Sequence, residues 1–254
     1  MALTSGTLSN NNSFDHIKDK LGITNCEEFI SNKGLTSPES VGFYIGKDLP
    51  DPRRDEVEDN VFTKACAERI AELIKCSGGR ALVLFTSHRR LNEVYKIINN
   101  RRDIPWRVIH QRQKSAAQIF REDKTSVLMA TGSYWEGFDV MGDSLTMVIM
   151  DKLPFPSPMS AYTAAKHKEL AEQGMTEYEI RENLYIPEML LQLKQGAGRL
   201  LRHEDDWGVI AILDPRADNN KYRDIVTNCI PPHIKLNSVQ DIATWFDDRI
   251  VVNH

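Results

Sequence analysis

Four short runs in this chain are almost wholly apolar: residues 81–85 (Ala-Leu-Val-Leu-Phe), 126–130 (Ser-Val-Leu-Met-Ala), 145–150 (Leu-Thr-Met-Val-Ile-Met) and 207–213 (Trp-Gly-Val-Ile-Ala-Ile-Leu). A run of this length without polar alternation marks a strand buried on both faces, as in a parallel sheet covered by helices. Two further short strands are predicted at 41–45 and 106–110. The segments between the runs carry helical spacing. In 61–75 the residues Phe62, Ala65, Cys66, Ile70, Leu73 and Ile74 share one side, and Gly78-Gly79 ends the pattern. Leu91, Val94, Ile97 and Ile98 repeat it, and 116–122 and 160–173 also read as helices. Strands that alternate with helices predict a doubly wound α/β sheet. Its ligand face lies at the carboxyl ends of the strands.

The polar motifs fall after those strand ends. Thr86-Ser87-His88-Arg89-Arg90 follows the first run. Hydroxyls at a helix amino terminus beside arginines suit a phosphate, and an ordinary N-cap followed by surface arginines fits equally well. Thr131-Gly132-Ser133-Tyr134-Trp135-Glu136-Gly137-Phe138-Asp139 follows the second run. Its glycines let backbone N–H groups approach a ligand, Glu136 or Asp139 can accept from a ribose or orient a water, and Tyr134 or Trp135 can stack on a base. Phe138 and Trp135 fit better as core plugs.

The stretch Gln195-Gly196-Ala197-Gly198-Arg199-Leu200-Leu201-Arg202 sits late in a helix expected to open at Pro187. On a helix Gln195, Arg199 and Arg202 share one side, a fork suited to a polyphosphate. Glycine inside a helix costs about 1 kcal/mol against alanine, so Gly196 and Gly198 imply close approach of another element. Asp55-Glu56-Val57-Glu58 follows a Pro- and charge-rich loop and not a buried strand. It is expected to be solvated charge near a helix start. Further short helices are expected at 14–21, closed by Gly22, and at 26–31. Thr176-Glu177-Tyr178-Glu179 is a capping box, with Met175 and Ile180 as its staple.

The chain has 254 residues, of which 41% are hydrophobic, enough for a sizeable core. A net charge of −4 excludes a global pull toward nucleic acid, so any such surface is a local patch. Four cysteines without a CxxC pair give no zinc or iron–sulfur pattern and suggest a reducing compartment. With no apolar run long enough for a bilayer and no signal peptide, a cytoplasmic, membrane-free protein is expected.

Taken together, Ser133-Tyr-Trp-Glu-Gly-Phe-Asp-Val140, Asp151-Lys-Leu-Pro-Phe-Pro156, the 195–202 stretch and Asp214-Pro-Arg216 resemble, in order and spacing, the second motor domain of superfamily 2 helicases of the DinG/XPD type. Thr4-Ser-Gly-Thr-Leu8 is similar to the motif that closes the first motor domain. The resemblance implies a three-layer RecA-like (P-loop NTPase-like) domain over 14–254, with a helical insertion near 158–186. Residues 1–13 would be the remnant of the junction with the first motor domain. It implies ATP with Mg2+, bound mainly by that first domain in cis or in trans. Arg199 and Arg202 would act on the γ-phosphate as arginine fingers. Gln195, Glu136, Gly137 and Asp139 would face the nucleotide. Thr86, Ser87, Arg89, Thr131, Gly132 and Tyr134 would lie along single-stranded DNA, traversed 5′ to 3′. No Gly-x-x-x-x-Gly-Lys-Ser/Thr loop and no acidic box after a strand is present, so the chain alone is expected not to turn ATP over. The alternative is a non-catalytic nucleic-acid-binding or scaffold module of helicase descent.

Overall fold

The computed structural model describes residues 3, 13–30, 37–56, 60–135, 145–201, 203 and 205–252. Among these, seven strands form one sheet in the order β3-β4-β2-β5-β6-β1-β7. They are β1 (Val41–Ile45), β2 (Ala81–Phe85), β3 (Val108–His110), β4 (Val127–Thr131), β5 (Met147–Met150), β6 (Gly208–Ile212) and β7 (Ile234–Leu236). Every pairing is parallel. The four apolar runs supply the central strands β4, β2, β5 and β6, and these are buried throughout. The edge strand β7 escapes the sequence reading because it is three residues long and half exposed.

The helices are α1 (Asp15–Leu21), α2 (Val61–Ser77), α3 (His88–Asn99), α4 (Ala116–Glu122), α5 (Ala161–Glu172), α6 (Glu177–Ile180), α7 (Ile186–Ala197), α8 (Arg223–Cys229) and α9 (Val239–Val252). Strand alternation divides the core in two. Leu82, Leu84, Val148 and Met150 pack with α4, α7 and α8 on one face. Val83, Phe85, Met147 and Ile149 pack with α2, α3 and α9 on the other. The result is the expected three-layer α/β architecture.

Local signals behave as read in several places. Gly78 takes a left-handed conformation (φ 64°) and caps α2 by donating to the carbonyls of Ile74 and Lys75, which a residue with a side chain would do only under strain. Thr176 and Glu179 form the reciprocal capping box. Leu170, Ile180 and Leu184, with Met175 and Tyr185 against them, make a small satellite core beneath α5 and α6. Residues 26–30 are not helical, against expectation. Pro187 does not open its helix either. Helical structure runs from Glu177 through a π-turn at Arg181–Tyr185 into α7. Pro187 has no amide hydrogen for the carbonyl one turn earlier, and widening of the helix just before it accommodates that loss.

Sheet order makes β2 and β5 neighbours whose exits diverge. After β2 the chain crosses one face through α3; after β5 it returns to the sheet through α7 on the other. This is a topological switch point, where the loops at the carboxyl ends of the strands open a crevice.

Candidate functional site

The switch point is filled from within. Asp151, at the end of β5, is fully buried and accepts from the Thr86 N–H (2.9 Å) and from Arg90 Nε (2.6 Å). Arg90, 2% exposed, also donates through Nη1 to Asp55 Oδ2 (2.9 Å) and Thr63 Oγ1 (2.7 Å), and lies over the Phe62 ring. Burial alone would lower the Arg90 pKa; Asp151, with Cys66 and Asp55, outweighs it and raises it. Asp55 additionally accepts from the N–H groups of Phe62 and Thr63, capping the start of α2. Two expectations are corrected here. Asp55 is a buried capping carboxylate and not solvated charge, because Arg90 and the helix amides replace water around it. Arg90 is committed inside the domain and offers nothing to an external phosphate. Arg89, one residue earlier, is exposed on the first turn of α3.

Around this cluster lie the other rim groups. Ser87 caps α3, its hydroxyl accepting from the Arg90 N–H (3.4 Å). Thr131 is paired in register with Phe85, which brings the β4 exit beside Thr86. It is buried, and its N–H donates to Gln111 Oε1 (2.6 Å). Gln111 contacts His88 in turn at 3.4 Å. Gly132 is left-handed (φ 64°), with open space where a Cβ would stand. Tyr134 is half-buried against the core. Trp135 is 1% exposed and donates from Nε1 to the Phe85 carbonyl (3.0 Å), so it plugs the core and has no face for a base. Glu136, Gly137, Phe138 and Asp139 lie outside the described residues.

Beyond β6, Asp214 is fully buried, accepts from the Leu153 N–H (3.0 Å) and is gripped by both arms of the Arg216 guanidinium. Burial lowers and Asp214 raises the Arg216 pKa, with a net rise. Lys152, which follows Asp151 and feels the charge of both carboxylates, has its pKa lowered by burial.

The 195–202 stretch meets the rim at Gly196. A Cβ on Gly196 would come within 2.9 Å of the Trp135 ring and 3.0 Å of Met150 Cε. Helix α7 therefore needs glycine there to lie against the segment that leaves β4, as its sequence implied; Gly198 is corrected, since it lies at the helix end and a Cβ there would meet only the carbonyls of Lys194 and Gln195. The helix stops at Ala197, however, and Arg199 sits in the following turn. Its Nε donates to the Gln195 carbonyl (3.1 Å), an orphan acceptor of the helix end. A single helical face holding Gln195, Arg199 and Arg202 is thus corrected for its first two members: their relation is a cap, because Gly198 gives way to a turn. Arg202 lies outside the described residues. Gln195 also lines a cleft of about 220 Å³ with Lys20, Pro156, Glu188, Leu191 and Gln192.

The family described as "Helicase C-terminal domain" matches residues 70–233, well over half of the chain. The chain belongs to this helicase C-terminal domain family. The ATP-dependent DNA helicase YoaA of Haemophilus influenzae is 28% identical over 249 residues, covering 97% of this chain and 37% of that protein. The ATP-dependent helicase DinG of Mycobacterium tuberculosis is 34% identical over 240 residues, covering 91% and 34%. This helicase domain thus spans about a third of the length of these relatives. A solved XPD helicase superposes with a TM-score of 0.67 at 21% identity, over 91% of this chain and 42% of that one, which shows a common fold. The domain is thus similar in sequence to YoaA and DinG and shares with XPD a RecA-like α/β fold.

Among the rim groups, sequence reasoning missed Gln111, Asp55 and the buried role of Asp151. A carboxylate after an apolar strand, in Asp151 and Asp214 alike, is the one signal that pointed to the last of these.

Proposed function

We propose that this chain is the carboxyl-terminal motor domain of an ATP-dependent DNA helicase, working with a first motor domain supplied in cis or in trans. The first domain holds most of ATP and Mg2+. Arg199 and Arg202 reach the γ-phosphate and stabilise the charge that develops on transfer. Gln195, Glu136, Gly137 and Asp139 face the nucleotide from this side. Thr86, Ser87, Arg89, Thr131, Gly132 and Tyr134 border single-stranded DNA along the carboxyl rim, and travel is 5′ to 3′. The free, widely spaced cysteines fit work in the reducing cytoplasm.

One observation carries the reading: the seating of Gly196 on Trp135. It makes the segment after β4 and the arginine-bearing turn parts of one packed unit. A shift of phosphate-facing groups would then move strand-facing groups with it, as a motor requires. The test combines this chain with a first motor domain that carries a phosphate loop and measures single-stranded-DNA-stimulated ATPase. The chain alone should not turn ATP over. In the mixture, Arg199→Ala or Arg202→Ala should lower the rate by roughly 10³-fold. Retention of the rate within about tenfold in both variants would remove the finger role.

A further inference from the structure

We propose that Lys152 seats a backbone phosphate of the bound single strand at the β2/β5 switch point, an inference that rests on the strand-tracking role just proposed. Its main chain lies between two saturated carboxylates. Asp151 is spent on the Thr86 N–H and on Arg90, and Asp214 on the Leu153 N–H and Arg216. The Lys152 ammonium itself has no hydrogen bond or ion pair among the described residues. Three donors on a half-buried cation are therefore unspent, at the crevice where open α/β sheets take their ligands.

The electrostatics agree. Burial pulls the Lys152 pKa below the ordinary lysine value of 10.5, Asp151 and Asp214 resist this, and Arg90 and Arg216 add to it. A partly desolvated cation gains more from an incoming oxyanion than an exposed lysine does. The backbone beside it is firmly held. Leu153 N–H is bonded to Asp214, Leu153 and Pro154 are buried, and two prolines within 154–156 restrict the chain. The arrangement presents a charge from a fixed base, next to Thr86, with β2 between it and Thr131. A phosphodiester and the phosphates of a free nucleotide share the chemistry that this seat recognises. The location beside the β2 exit, where Thr86 lies, favours the phosphodiester.

The experiment measures fluorescence anisotropy of a labelled oligothymidylate with the whole chain, at salt concentrations from about 50 to 200 mM, for wild type, Lys152→Met and Lys152→Arg. Loss of one phosphate contact lowers the slope of log affinity on log salt by about 0.7. Lys152→Met should therefore bind more weakly at low salt, with the deficit shrinking about 2.5-fold across that range. Lys152→Arg should restore both affinity and slope. Thermal melts should coincide, since no bond within the domain is lost. Wild type that binds, with an unchanged slope in Lys152→Met, overturns this inference and leaves the strand-tracking reading standing. Wild type that fails to bind at the lowest salt overturns both. A Lys152→Met variant that binds ATP more weakly, with an unaltered oligonucleotide slope, assigns the lysine to nucleotide and also overturns the proposal.

Discussion

Replacing Arg90 with methionine should cost this domain a large part of its stability. The guanidinium is 2% exposed and holds Asp151, which has no exposure, at 2.6 Å and Asp55 at 2.9 Å. Methionine fills much of the aliphatic volume but leaves two carboxylates with no counter-ion. Breaking a buried ion pair by removing one partner typically costs about 3–5 kcal/mol, because the residual charge stays out of water. The lost bond to Thr63 and the contact with the Phe62 ring fall within that range and are not added to it. For a domain of this size that is about 10 °C in midpoint, out of a total stability of only about 5–15 kcal/mol. Asp151→Asn should cost less, about 1–3 kcal/mol. Its amide oxygen still accepts from Thr86 and Arg90 keeps Asp55, but the amide NH2 faces Arg90 Nε, so the charge and that one hydrogen bond are lost. Urea unfolding of both single variants and the double variant gives the coupling directly. We expect the double variant to be more stable than the sum of the two losses implies. A loss below about 1 kcal/mol in Arg90→Met would refute the reasoning, since it would mean that water or another cation already serves the carboxylates.

Gly196→Ala gains helix propensity yet drives a methyl to within 3.0 Å of Trp135 and Met150. We expect a net loss of about 1–3 kcal/mol, read by thermal melting, with a neutral or stabilising result counting against tight seating of α7. His110 has its pKa lowered by burial, with Arg112 and His88 acting the same way, so the unfolded chain takes up the proton first. Its contribution to stability is full above pH 6.5 and is lost as pH falls below it. His110→Asn should therefore flatten the decline in melting temperature between about pH 7.5 and 5.5. Burial pushes the Cys66 and Cys229 thiols up to about 12, whereas Cys26 is exposed. Brief iodoacetamide treatment of the native chain at pH 8, read by peptide mass, should label Cys26 and spare Cys66 and Cys229.

What could be read from residues alone was everything decided by near neighbours. Uninterrupted apolar runs gave the central strands, 3.6-residue spacing gave α2 and α3, and Gly78 and the Thr176 box gave the end of α2 and the start of α6, because each of these depends on a handful of adjacent residues. The motif order carried the family in the same way, being linear by nature. Folding over long separations decided the rest. Asp55 looked like surface charge and became a buried cap only because Arg90, 35 residues on, is itself fixed by Asp151 another 61 away. Arg199 sat on a helix in projection, yet the helix ends two residues before it and turns the side chain back onto Gln195. Periodicity states which residues prefer to leave water; only packing brings together the partners that let a charge leave it too.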